Sequence, residues 1–120
     1  MKKLFIGALV LNLLIEWMAA ATLILAGESM APGASADGLM WSRIYGFAAL
    51  AIGSTVIWAW PSRDNLQAVT LVLGLMCTFH VCILAALATS ANQQAGTVIH
   101  AVLSVLFITL FVTRKKWCKE

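Results

Sequence analysis

Four stretches of this chain, at residues 4 to 26, 40 to 60, 66 to 89 and 95 to 113, are apolar over nearly their whole length. Each is long enough to cross a hydrocarbon core of ~30 Å as an α-helix, which needs roughly 20 residues. The breaks between them are short and polar: GESMAPGASADG, PSRDN and TSANQQAG. None of the four alternates with period two as barrel strands do, and in lipid only helices or closed barrels satisfy their own backbone groups. The expected fold is therefore all-α: a polytopic membrane protein with four transmembrane helices in an up-down bundle, residues 1 to 120 forming one integral membrane domain. Composition agrees, because 62% hydrophobic and 11% charged residues, with a mean hydropathy of +0.92, lie far outside the soluble balance.

The opening MKKLFIGALVLNLL resembles a secretory leader, with Ala19-Ala20-Ala21 as a cleavage site, but its apolar run continues to Ala26 and outlasts an ordinary leader core. It is read as the first span. Orientation follows from the basic residues, which stay on the cytoplasmic side of short loops. Lys2, Lys3, Arg63, Arg114, Lys115, Lys116 and Lys119 fall on one side of a four-span plan and only Arg43 near the other, so both termini are expected to be cytoplasmic. That pattern suits a bacterial inner membrane. Trp41, Trp58, Trp60 and Trp117 lie near span ends, where indole favours the interface, whereas Trp17 is deep in the first span. Pro61 should end the second helix, and Asp64 with Gln67 should cap the third. Cys77, Cys82 and Cys118 make no disulfide framework and read as two small packing residues and a free thiol. The tail RKKWCKE is what orientation alone requires.

The informative residues are the polar ones inside the spans. Glu16 interrupts LNLLIEWMAA, an expensive place for a charge. Counting ~1.5 Å per residue from the cytoplasmic edge puts Glu16 about 18 Å deep, His80 about 21 Å, His100 about 22 Å and Arg43 about 25 Å. Each comes from a different span and all share the outer half of the bilayer, so a bundle is expected to gather them into a polar cluster in which Arg43 either pairs with Glu16 or attracts anions from the outer side. Asn12, one turn before Glu16, extends the same face. Ser42, Gly46, Ala49 and Gly53 form a stripe of small residues that lets another helix approach closely. Cys77 and His80, and His100 and Ser104, share faces of the third and fourth spans.

Four functions compete for that cluster. It fixes helix register; it binds or transports a small ligand with proton coupling, Glu16, Arg43, His80, His100 and Asn12 being the site; it holds a haem between His80 and His100, or copper or zinc on the two histidines with Cys77; or the chain is an accessory subunit of a larger membrane complex or a homo-oligomer. Haem is disfavoured because neighbouring helix axes lie only about 8 to 10 Å apart. No sequence feature names a cofactor, and no CxxC or paired carboxylate supports a metal. An independent enzyme has the least support, as no nucleophile elbow, phosphate loop or carboxylate pair is present. Nucleic-acid binding is set aside, since the net charge of +3 is accounted for by orientation. The length, four spans and lone first-span carboxylate are similar to the plan of the small multidrug-resistance transporters. The aromatic and glycine stretch of their later spans is missing, and Arg43, His80 and His100 have no place in that pattern, so no family is assigned.

Overall fold

The computed structural model describes residues 1 to 90 and 93 to 118. Ala91 and Asn92 of the third connection, and Lys119 of the tail, lie outside the described residues. The described chain is helical, with α1 at Lys2–Leu25, α2 at Gly27–Met30, α3 at Ala36–Ala59, α4 at Leu66–Ala88 and α5 at Gln94–Thr113. Single 3-10 turns at Trp60–Ser62 and Arg114–Lys116 extend α3 and α5. Four of these segments, Lys2–Leu25, Ala36–Ser62, Leu66–Ala88 and Gln94–Lys116, are long and apolar enough to cross a membrane.

Local chemistry sets the ends. The helix α3 starts at Ala36 and not at residue 40, because the Ser35 hydroxyl accepts the Gly38 N–H at 3.2 Å and Asp37 sits in the first turn, where a carboxylate meets the helix dipole. The preceding turn is closed by Gly33, whose φ of 79° is costly for any residue with a Cβ. The one-turn helix α2 occupies what reads from sequence as plain loop. At α4 the cap is Asn65, whose side chain accepts the Ala68 N–H at 3.0 Å. The expected cap Asp64 is instead in an ion pair with Lys2. Pro61 lies in the turn that ends α3, as its missing N–H requires. Arg114 closes α5, donating from Nη1 to the Phe111 carbonyl at 2.6 Å and from Nε to Thr70 at 2.8 Å.

The contacts divide the chain into two units, Met1–Ala8 with Ala59–Glu120 and Leu9–Trp58. In the first, α4 and α5 run antiparallel: Thr70 meets Arg114 near one end, Gly74 faces Phe111, and Gly96 faces Leu87 near the other. Leu73, Met76, Leu103, Phe107 and Leu110 are buried there. The start of α1 joins the same end, with Phe5 against Trp117 at a centroid distance of 5.1 Å. In the second unit the remainder of α1 lies antiparallel to α3, and the small-residue stripe is the contact. A Cβ on Gly46 would stand 2.8 Å from Ile24 Cγ1, and one on Gly53 would stand 3.0 Å from both Glu16 Cβ and Trp17 Cδ1. Gly46, Ala49 and Gly53 are buried.

Candidate functional site

Of the five residues singled out in the sequence, His80 and His100 belong to the first unit and Asn12, Glu16 and Arg43 to the second. His80 comes from the middle of α4 and His100 from the first half of α5, and their Nδ1 atoms are 2.9 Å apart. At that distance one ring donates its Nδ1–H into the lone pair of the other, so two neutral rings must hold opposite tautomers. Such a pair accepts one further proton and keeps its bond; a second would set N–H against N–H. Both rings are buried. His80 stacks on Phe107 with an interplanar angle of 4° and a centroid distance of 5.2 Å, while Phe79 stands edge-on to His80 at 5.1 Å and to His100 at 6.1 Å. The aromatic walls hold the ring planes. One turn beyond His100, the Ser104 hydroxyl is buried with no hydrogen-bond partner among the described residues. A haem bound axially by this pair is ruled out as the rings stand, since two ligands at ~2.0 Å from an iron between them would be ~4 Å apart with a macrocycle in the gap.

Glu16 is 1% exposed, and neither carboxylate oxygen has a hydrogen-bond partner among the described residues. It lies on α1 at the level of Gly53, where the absent side chain lets the helices close. Beside it the Trp17 indole N–H donates to the Ser54 hydroxyl at 3.3 Å, and that hydroxyl donates to the Leu50 carbonyl at 2.7 Å. Asn12, one turn earlier on α1, is fully buried.

The expected Glu16–Arg43 pair is not formed. Glu16 faces Gly53, and Arg43 lies about 15 Å farther along α3 by helical rise. Arg43 is exposed and lines a cavity of about 370 Å³ together with Glu28, Ser29, Ile24 and Leu39. The depth count misses this because it ignores register: the glycine stripe decides which residue of α3 stands opposite Glu16.

Sequence reasoning placed the two histidines at equal depth but did not find that they bond, nor that Phe79 and Phe107 enclose them. An aromatic residue at 79 and another seven positions after His100 were the available signals. The Trp17–Ser54 bond was also missed, although an indole N–H inside an apolar helix usually finds an acceptor. Comparison with protein-family models, curated proteins and solved structures gives no match to this chain.

Proposed function

We propose that this chain is an integral membrane protein of four-span, up-down plan, with both termini cytoplasmic as in a bacterial inner membrane, and that it binds and transports a small solute coupled to a proton at Glu16. The observation that carries the reading is the Glu16 carboxyl: buried in an apolar helix, it has no hydrogen bond and no ion pair among the described residues. A carboxylate in such surroundings costs several kcal/mol unless it takes up a proton or a cation, and intramembrane groups of this kind mark proton relays and ion paths. The His80–His100 pair supports the same reading, since it can take and return one proton without losing its bond. Arg43, beside its outer cavity, is the anion-attracting group of this scheme. The clustering of Lys2, Arg63, Asp64 and Trp117 around one cavity agrees with the cytoplasmic placement of the amino terminus, the second connection and the tail.

The test is flux in proteoliposomes under an imposed pH gradient, followed with an internal pH dye while panels of small cations and anions are added. Solute-dependent proton movement is expected in the wild type and absent in Glu16→Gln. Equal movement in both, or none in the wild type for any solute, refutes the reading.

A further inference from the structure

We propose that the cavity bounded by Lys2, Arg63, Asp64, Trp117 and Cys118 is a binding site for the headgroup phosphate of one anionic phospholipid. The proposal rests on the chain lying in a membrane and not on proton coupling. The cavity, of about 210 Å³, opens where α1 begins, α4 begins and α5 ends. It is smaller than the ~300 Å³ at which sites for drug-sized molecules begin, so it suits a phosphodiester with its glycerol and not a larger solute. Its charges are unequal. Lys2 and Asp64 form an ion pair, so that among the described residues lining the cavity the Arg63 guanidinium is the charge left over.

Arg63 is held in place for such a task. Its Nη1 donates to the Trp60 carbonyl at 2.7 Å and its guanidinium lies 4.9 Å over the Trp60 ring. The remaining guanidinium nitrogens have no partner among the described residues, so N–H donors are left over, and a guanidinium fork matches phosphate oxygens in pairs. Trp117 is fixed as well, tilted at 39° against Phe5 and donating its indole N–H to the Thr113 hydroxyl at 3.3 Å. An indole fixed at a span end sits at headgroup level, which is where a lipid phosphate lies. Lys3, Arg114, Lys115 and Lys116 belong to the same end by sequence and add a positive field around the opening.

The experiment reconstitutes the full chain in bilayers of equal phosphatidylglycerol and phosphatidylcholine, extracts it in mild detergent and counts retained lipids by native mass spectrometry. The wild type is expected to retain one phosphatidylglycerol preferentially. Arg63→Gln should lower the ratio of retained phosphatidylglycerol to phosphatidylcholine by at least about tenfold, whereas Lys116→Gln should lower it by no more than about fivefold, the effect of one basic residue near an anionic surface. Asp64→Asn, which releases Lys2, should raise the ratio. Equal losses in Arg63→Gln and Lys116→Gln overturn the site in favour of general surface attraction, and displacement of the lipid by millimolar inorganic phosphate assigns the cavity to a free anion instead. Circular dichroism of each variant separates misfolding from lost binding, and Arg63→Lys, which keeps the charge without the fork, should fall between wild type and Arg63→Gln. A chain that fractionates without membrane would refute the membrane reading itself, an outcome distinct from a membrane-bound chain that retains both lipids equally.

Discussion

Gly46→Ala adds one methyl group where α1 and α3 touch, and its cost can be worked from the contact. The new carbon would stand 2.8 Å from Ile24 Cγ1, 3.2 Å from Leu23 Cβ and 3.3 Å from the Ala20 carbonyl oxygen. Carbon atoms pack best at about 3.5 to 4.0 Å, so the nearest contact is short by roughly 0.7 Å. One of its neighbours is backbone, which leaves little to yield except the helix spacing. Overpacking of this size costs about 1 to 3 kcal/mol, against which alanine gains up to about 1 kcal/mol over glycine as a helix former. Gly7→Ala isolates the second effect, because a Cβ on Gly7 meets nothing within 4 Å. The two variants should differ by about 1 to 3 kcal/mol, or roughly 5- to 150-fold in the unfolding constant, with Gly7→Ala the more stable. Gly53→Ala, with two contacts at 3.0 Å, should fall between them. Reversible unfolding in mixed micelles, read by far-ultraviolet circular dichroism, gives the order. If Gly46→Ala were as stable as Gly7→Ala, the close approach of the two helices would be wrong.

Other consequences are open to the same assay. His100→Leu should strand the His80 Nδ1 and cost about 1 to 3 kcal/mol, whereas adding His80→Phe should cost less than the sum of the single changes; strict additivity would argue against the bond. Asn65→Ala should cost about 1 kcal/mol as a lost helix cap, against less than about 1 kcal/mol and a salt-dependent effect for Asp64→Ala; the reverse order would return the cap to Asp64. Arg43→Ala should change stability equally with Glu16 and with Glu16→Gln, since the register of α1 on α3 keeps the two apart. A coupling above about 0.5 kcal/mol would restore the ion pair.

The four long apolar helices were legible because length and apolarity are properties of each segment by itself: α4 at Leu66–Ala88 needs only its own sequence to be recognised as long and apolar enough to cross a membrane. Placement of the small stripe on a helix contact was legible for a similar reason, as Gly46, Ala49 and Gly53 fall on one face of any helix that contains them. Pairing was not. Whether Glu16 meets Arg43 or Gly53 depends on the axial offset of two helices, and an error of nearly three turns is invisible to a count of depth. The cap at Asn65 turned on a single position, since Asn65 accepts the Ala68 N–H while Asp64 meets Lys2 from a distant part of the sequence. His80 and His100 were correctly put at one level, but the approach of their Nδ1 atoms depends on side-chain rotamers fixed by Phe79 and Phe107.

The strongest reason to treat Glu16 as more than a device for choosing helix partners lies in how its surroundings use their hydrogen bonds. A carboxyl retained only to fix register lowers its own desolvation penalty by taking a donor, because a buried polar group left unmet costs the full price of its lost water. A donor was at hand in the sequence: Ser54 follows Gly53, the residue Glu16 faces. Its hydroxyl proton goes to the Leu50 carbonyl and its lone pair to the Trp17 indole, while both Glu16 oxygens are left without a hydrogen bond among the described residues. Trp17 and Ser54 thus already supply a polar link between α1 and α3, and the glycine stripe supplies the close packing. Register at this contact is specified without the carboxyl, so fixing register does not by itself account for Glu16, and the proton-coupled role proposed above is the reading that its chemistry supports.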